Sequence, residues 1–555
     1  MPSQTMHLYN TLTKRAEPVV PVDPSCVSFY SCGPTVYDDA HIGNFRSFLA
    51  ADLLRRFLES PLCTLTDDDG NEHAGPRTVL HVMNITDVGH MTDDSAADGG
   101  GEDKMAVAGE RLLEAKKAGT IPEGVDIDPK DPRQIADYFA ARFIDDGQKL
   151  GLKVATEQAK DASLMPRASA HVDGMRAVIA SLLSNGSAYA AGEPGARAVY
   201  FSVDSFEGYG SLSGNTLDQI RGGAGGRVSD ATQSEKKHPA DFLLWKEDET
   251  HLMKWPAPEH ADCEGWGQGY PGWHIECTAM SLGRLIPGGL QRLLKQSAAG
   301  TASPVEIDLH SGGEDNIFPH HECERAQSCA FVGSDRFARP RFHARNLRVE
   351  GKKLSTSAGT FYTARDLFAQ GHEPAAVRLE LIKTHYRATA DFSMEGLKAS
   401  ARTVEKFRAF AGDPDPSFTP MSPHEHPVLE AVAADLHDDL NIAGALGTIN
   451  KWINETNHTD GPGSGPTDAD RRAMRTLDTV LGLLDLERAQ AKATSIGVFL
   501  PGVEPDETIE ALLGERAEAR KAKDFARSDA IRDELAGMGL AIKDVAGGKV
   551  EVGRA

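Results

Sequence analysis

Nothing in this chain marks it for a membrane or for secretion. Across its 555 residues no apolar run is long enough to span a bilayer, and the opening Met1–Pro2–Ser3–Gln4–Thr5–Met6–His7 has no apolar signal segment. Cysteine is scarce. The seven present are irregularly spaced, which argues against a disulfide framework. Positive charge is outweighed, with 59 Lys and Arg against 82 Asp and Glu and a formal net charge of −23. That argues against a surface that binds nucleic acid indiscriminately, while a locally clustered basic face stays possible. The expectation is a soluble, cytoplasmic protein of a reducing compartment, with no membrane partner. Its length is too great for one core and calls for several domains. Part of the acidity is concentrated between Thr92 and Asp103, which reads as a mobile loop.

What is there begins with soft metal ligands. Cys32 lies in Ser31–Cys32–Gly33–Pro34–Thr35–Val36–Tyr37–Asp38–Asp39–Ala40–His41–Ile42–Gly43–Asn44, and Cys277 closes Gly272–Trp273–His274–Ile275–Glu276–Cys277. His320 and Glu324 lie in Phe318–Pro319–His320–His321–Glu322–Cys323–Glu324. Zinc favours thiolate and imidazole in tetrahedral geometry, and an open position on it would hold a substrate thiol. Taken singly, each cysteine reads as a small buried hydrophobe. His320 and Glu324 stand four apart after Pro319, a residue suited to a first helical turn, so they share one helix face. Cys323 competes on spacing alone. It is softer than Glu324 and would complete a closed, structural site.

A second constellation points to a nucleotide. The apolar run Val27–Ser28–Phe29–Tyr30 reads as a strand, and Phe45 to Leu58 carries apolar residues at helical spacing. A strand, a turn holding His41 and Gly43, and then a helix start make a phosphate cradle, because free N–H groups face an anion there. Much later, Gly351–Lys352–Lys353–Leu354–Ser355–Thr356–Ser357 is a small cationic loop of the kind that contacts polyphosphates.

With Asn84–Ile85–Thr86–Asp87 and His310–Ser311–Gly312–Gly313–Glu314–Asp315, these motifs resemble the cysteinyl-tRNA synthetase family of class I aminoacyl-tRNA synthetases. The resemblance runs from Leu8–Tyr9–Asn10 to Lys523–Asp524–Phe525. It implies an α/β fold: a Rossmann-type catalytic domain with an inserted connective domain, then an α-helical anticodon-binding bundle and a small C-terminal segment. It implies ATP-dependent activation of L-cysteine to cysteinyl-adenylate with Mg²⁺, then transfer to tRNA(Cys). It implies one zinc per chain on Cys32, Cys277, His320 and Glu324, favouring Glu324 over Cys323, with the substrate thiolate bound to the metal. Serine would then be rejected because its hydroxyl binds zinc far more weakly than a thiolate. By the same resemblance Cys32, Gly33, Thr86 and Trp273 form the cysteine pocket. Pro34, Thr35, His41, Gly43, Asn44, Gly313, Asp315, Lys353 and Thr356 bind ATP. His41, Asn44 and Lys353 stabilise developing charge. Two positions depart from the family pattern: Asn44 stands where histidine is usual, and Thr356 where a second lysine is usual. A monomer is expected.

The domain reading places the first catalytic half at 1–150, the insertion at 151–260 and the second half with the zinc site at 261–345. A signature-loop and stem-contact region follows at 346–395, the bundle at 396–490 and the terminal tRNA-recognition segment at 491–555. Arg167 to Leu183 reads as a helix, Arg197 to Val203 as an alternating strand, Arg221 to Arg227 as a Gly-rich loop, and Gln296 to Ser303 as a surface loop. Helical stripes recur at Val432, Leu436 and Leu440, at Leu446, Ile449 and Ile453, and from Met474 to Leu484, with a linker from Thr459 to Pro466. Arg516, Arg520, Lys523 and Arg527 read as a basic stripe on one helix. Two rivals share the motifs: a ligase joining cysteine to a small amino sugar, and a non-enzymatic nucleotide or RNA sensor. The complete C-terminal end argues against the first, and His41 with the zinc set against the second.

Overall fold

In the computed structural model the described residues are 5–89, 91–93, 100–119, 127–215, 235–301, 305–353, 361–458, 465–486, 497–500, 503, 507–521, 524–545 and 549–554. The chain forms two compact units. One comprises Met1–Leu367 with Pro374–Glu487, the other Phe368–Glu373 with Arg488–Ala555. Among the described residues no helix is long and apolar enough to cross a membrane.

In the first unit, strand β1 (Cys26–Ser31) leads through the Cys32–His41 turn into helix α1 (Ile42–Glu59), followed by β2 (Thr78–Met83) and α2 (Pro132–Lys149). Helix α3 (Val172–Ser184) then introduces β3 (Ala188–Ala191), β4 (Ala198–Phe201), β5 (Phe242–Glu247) and β6 (Gly269–Pro271). The chain returns with α4 (Trp273–Leu285), β7 (Leu309–Gly313), α5 (Glu322–Val332) and β8 (Arg341–Ala344). The sheet order β8–β7–β1–β2 is parallel throughout. The two halves of the chain thus meet at the β1–β7 seam, where Leu309 pairs with Phe29 and Ser311 with Ser31.

Helix α1 explains the seam's stability. Ile42, Phe45, Phe48, Leu49, Leu53, Leu54 and Phe57 are all buried, a wide apolar face of the sort that packs on a sheet. Its buried polar groups are matched. Arg46 donates to the carbonyls of Arg345, Leu381, His385 and Ala388. Asp52 pairs with Arg56 at 2.7 Å and Arg378 at 2.6 Å.

The insertion is an antiparallel sheet in the order β6–β5–β4–β3. It continues past the expected boundary at 260, because β6 pairs with β5. The α3 stripe Val172, Met175, Val178, Ile179 and Leu182 is buried. The β4 residues do not alternate in burial: all four are buried. Val199 and Phe201 join the large core, while Ala198 and Tyr200 pack with Tyr189, Leu243 and Tyr270, so both faces of the sheet are covered. The stretch Gln296–Ser303 begins inside a helix, Gly289–Ala298. The run Arg221–Arg227, most of the linker at 459–466 and the middle half of the acidic stretch at 92–103 lie outside the described residues. The ends of that stretch are not loop, since Met91–Asp93 pairs antiparallel with Gly100–Asp103.

The bundle comprises α6 (Met394–Ala411), α7 (Pro427–His437), α8 (Ile442–Asn457) and α9 (Asp468–Leu481). Its expected stripes are buried. It belongs to the first unit, and one reason is Arg378, which is fully buried and donates to Leu481 O at 2.7 Å as well as to Asp52.

The second unit holds β9 (Gly497–Phe499), α10 (Glu507–Lys521), α11 (Phe525–Gly537), β10 (Leu540–Val545) and β11 (Lys549–Arg554). Its core is Ile509, Leu513, Ile531, Leu535, Leu540, Val550 and Val552. The expected single basic stripe is not there. Asp524 caps α11 by accepting from Arg527 N at 3.0 Å, so Arg516 and Arg520 lie on one helix and Arg527 on the next. Arg516 and Arg520 both pair with Asp544, and Arg527 pairs with Glu515. Lys523 lies outside the described residues.

Candidate functional site

The site opens where β1 and β7 end, the position at which open parallel sheets bind ligands. Cys32 follows β1 directly and donates its N–H to Ser311 O at 3.0 Å. Gly33 then passes so close to the neighbouring chain that a Cβ there would lie 1.8 Å from Asn84 O. Its N–H is bonded to Asn84 Oδ1 at 2.9 Å. Glycine is therefore required to turn the loop here.

Beneath this turn, donors converge from separate elements. Cys32 Sγ lies 3.7 Å from Cys277 Sγ, and Cys277 Sγ lies 3.3 Å from His320 Nε2. These three form one group of possible metal donors within 4.8 Å of one another. An overlapping group joins Cys32, His310, His321 and Glu324, with Cys32 Sγ 3.0 Å from His321 Nε2 and His310 Nε2 2.8 Å from Glu324. The four expected ligands are thus neighbours through Cys32, but Glu324 is held by His310. Cys323 is in neither group; its sulfur lies 3.4 Å from the Tyr209 hydroxyl.

The donor set fits a soft divalent cation. Every donor is buried. Burial pushes the Cys32 thiol up, and the hydrogen bond with Cys32, together with burial, pushes Cys277 well up. Two thiols this close cannot both ionise without positive charge beside them, and a thiolate-binding cation supplies it. The imidazoles are oriented from behind: His320 Nδ1 lies 3.1 Å from His274 Nδ1, and His321 Nδ1 lies 2.7 Å from His343 Nε2. Outer partners of this kind fix ring orientation in metal sites. Trp273, the first residue of α4, stacks on His320 with ring centroids 4.1 Å apart.

From Cys32 and Trp273 a cavity of about 740 Å³ runs outward past Gly33, Pro34 and Thr35 to His41, Gly43 and Asn44. Gly313 and Asp315 face it from β7's end. At the rim, His41 and Asn44 cap α1 reciprocally. His41 Nδ1 accepts from Asn44 N at 3.0 Å, and Asn44 Oδ1 accepts from His41 N at 3.1 Å. Since Nδ1 accepts a backbone N–H, the ring's proton sits on Nε2, and burial lowers the pKa of His41. Asn44, in place of the family's usual histidine, here closes the cap.

The rim is braced by charge. Arg142 of α2 holds Asp39 with two bonds of 2.6 Å. Arg365 bonds Asp146 at 3.0 Å and the Arg142 carbonyl at 2.7 Å. Burial raises Asp146 to about 6 in spite of that arginine. The segment 361–363 lies along the helix start, with Ile42 N bonded to Tyr362 O at 2.9 Å.

One expected contact falls elsewhere. Thr86 is buried and does not line the cavity; its hydroxyl donates to Glu276 at 3.1 Å and its N–H to Pro34 O at 2.9 Å, so it holds the turn from behind. Gly312 is required by packing, because a Cβ there would lie 2.8 Å from the His321 ring. Lys353 pairs with Arg348 across a short ribbon of Leu347–Val349 and Lys352–Lys353. Thr356 lies outside the described residues. The two donors not anticipated as such, His310 and His321, stood in the motifs already quoted. The adjacent pair His320–His321 and the motif that His310 opens are their sequence signal.

Residues 18–402 match the family model described as tRNA synthetases class I (C) catalytic domain, and residues 504–551 match the cysteinyl-tRNA ligase anticodon binding domain. A cysteine–tRNA ligase of Salinibacter ruber is 37% identical over 99% of this chain and 98% of its own length. Those of a Thermus thermophilus strain and of Rhodospirillum rubrum are each 36% identical over 97% of this chain, covering 97% and 98% of their own lengths.

Proposed function

Since the chain belongs to the cysteinyl-tRNA synthetase family of class I ligases, we propose that it activates L-cysteine with ATP and transfers it to tRNA(Cys), choosing the amino acid by its thiol. The observation that carries this reading is a single cavity with two chemistries. Cys32, on which the buried thiol and imidazole donors converge, lines its inner end, and a helix start with an oriented histidine lies at its rim.

A cysteine carboxylate oxygen attacks the α-phosphorus, the bond to the β-phosphate breaks, and pyrophosphate leaves. The ribose hydroxyl at the tRNA 3′ end then attacks the acyl carbon and AMP leaves. Little acid–base work is needed in the first step, so positioning and charge stabilisation dominate. His41 donates Nε2–H toward the phosphates, Asn44 holds the ring in that tautomer, and the N–H groups opening α1 add to the anion cradle. Pro34, Thr35 and Gly43 shape the rim, Gly313 and Asp315 face the adenosine, and Lys353 carries charge to the triphosphate, with Mg²⁺ entering on ATP. Zinc held by Cys32, Cys277, His320 and Glu324 supplies, when bound, a soft acid that separates thiolate from hydroxyl. Trp273 closes over the side chain of the bound amino acid, and Gly33 lets it approach the backbone.

Cysteine-dependent exchange of pyrophosphate into ATP tests activation, and acceptor assays with tRNA and with an amino sugar test the second step. Exchange with transfer to the amino sugar alone would replace this reading with the rival ligase. Truncation after Glu487, where the compact units divide, is expected to spare exchange and reduce charging severely. Charging at the full-length rate by a truncation that circular dichroism reports as folded would remove the terminal unit from tRNA recognition.

A further inference from the structure

The acidic and basic side chains facing the cavity nearly cancel in pairs. Its lining holds four carboxylates, Asp38, Asp39, Glu314 and Asp315, and two arginines, Arg345 and Arg348. Asp38 is paired with Arg111 at 2.8 Å and Asp39 with Arg142 at 2.6 Å. Glu314 is paired with Arg345. Asp315 accepts a hydrogen bond from the Asn346 amide at 3.3 Å. Among the described lining residues this leaves Arg348 as the arginine without a carboxylate partner. It is exposed at the middle of the strand Leu347–Val349. Its register places it opposite Lys353 on one side and Asp391 on the other. Asp391 is engaged elsewhere, accepting from Gly351 N at 2.8 Å. Residues 354–360, Leu–Ser–Thr–Ser–Ala–Gly–Thr, add no carboxylate.

A guanidinium held on a strand, facing a cavity whose other charges are ion-paired apart from Asp315, suits an oxyanion with several acceptor oxygens. Arginine presents five donors in a fixed fork that fits phosphate. Resting on the activation reading above, we propose that Arg348 is a catalytic residue that binds the pyrophosphate portion of ATP and compensates charge on it as it leaves. The backbone register sets Arg348 opposite Lys353 in the ribbon, and Arg348 meets the leaving group with a positive charge. Thr356, three residues further on, contributes none.

The test is steady-state ATP–pyrophosphate exchange by wild type, Arg348→Ala and Arg348→Lys, with zinc content measured for each. Arg348→Ala is expected to lower kcat/KM for ATP by roughly 10–100-fold, the range of a lost charged hydrogen bond, with KM for cysteine and zinc content unchanged within about twofold. Arg348→Lys, which restores the charge but not the fork, is expected to recover part of the loss. Calorimetric titration with a sulfamoyl analogue of cysteinyl-adenylate, which has no pyrophosphate, separates the contacts; its affinity is expected to be equal in wild type and Arg348→Ala. Wild-type exchange with Arg348→Ala equally active overturns the proposal and leaves the activation reading standing. So does a matching loss of analogue affinity or of zinc, or a lysine variant no better than alanine. Absence of cysteine-dependent exchange in the wild type sinks the activation reading itself.

Discussion

The two ends of the cavity are built on opposite principles. The deep end is a set of buried side chains from β1's exit, α4, β7 and the start of α5, each oriented by a second buried group. The rim is made of backbone and of matched surface charge: a helix cap, a turn forced by Gly33, and arginines tied to aspartates. The difference follows from what each end must recognise. A thiol differs from a hydroxyl by the softness of one atom, so discrimination needs fixed donors in a dry site. A triphosphate is large, charged and hydrated, so N–H groups and cations at moderate spacing suffice, and no single one is irreplaceable.

The largest expected effect tests the deep end. Cys277→Ser is expected to lose zinc and cysteine activation together, beyond the roughly 10–100-fold that outer-sphere changes cost at metal sites. Cys323→Ser is expected to keep both, because its sulfur faces Tyr209. Plasma emission spectroscopy and exchange kinetics read the pair, and zinc lost from Cys323→Ser but retained in Glu324→Ala would reverse the ligand assignment. At the rim, Lys353→Ala is expected to slow adenylate formation at saturating ATP by about 2–4 kcal/mol in barrier, with cysteine affinity nearly unchanged. Thr356→Ala is expected to cost less, and rapid-quench measurement of the opposite order would make the threonine the main contact of the loop.

A third test concerns the brace behind the rim. Asp146 ionises at about 6 in the fold against about 3.9 in an unfolded chain. The native state therefore holds the proton more tightly between those values, and stability falls as pH rises through that window and stays reduced above it. Asp146→Asn abolishes that slope, so urea unfolding is expected to show the variant gaining on wild type between about pH 4.5 and 7 by on the order of 1–3 kcal/mol. A parallel pair of stability curves would mean that Arg365 compensates the burial of the carboxylate. The smallest effect belongs to Asn44→Ala, which deletes one half of the α1 cap. About 1 kcal/mol of stability and a few-fold slower activation are expected, with zinc content unaltered. A loss of zinc in that variant would erase the independence of the two ends.

How much of this could be read from the residues depends on the same division. Cys32, Cys277 and His320 declare themselves by type, since buried thiols and imidazoles have few other uses in concert. Glu324 is legible as a carboxylate four residues from His320, but not as a partner of His310, because that pairing exists only once α5 lies beside β7. The α3 stripe was visible in spacing, whereas β4's burial was not, since covering both faces depends on which strands flank it. The spacing of the arginines suggests a basic stripe because it does not show Asp544 and Glu515 as their partners, nor that Asp524 starts a new helix between them. The cap on α1 was open to view as His41 and Asn44 three apart. The motif points first to phosphate contacts, because a residue's work for its own backbone is invisible next to a motif.

The seam between β1 and β7 also sets a timetable. Ser31 and Ser311 share a hydrogen bond across 280 positions of chain, so β1 leaves the ribosome long before the strand that flanks it. At about 5–20 residues per second the wait is roughly 14–56 s, during which the insertion, whose sheet pairs only with itself, is free to form first. The edge of β1 stays unpaired through that interval, an exposure that invites pairing with other chains. Slower synthesis lengthens that exposure and faster synthesis shortens it.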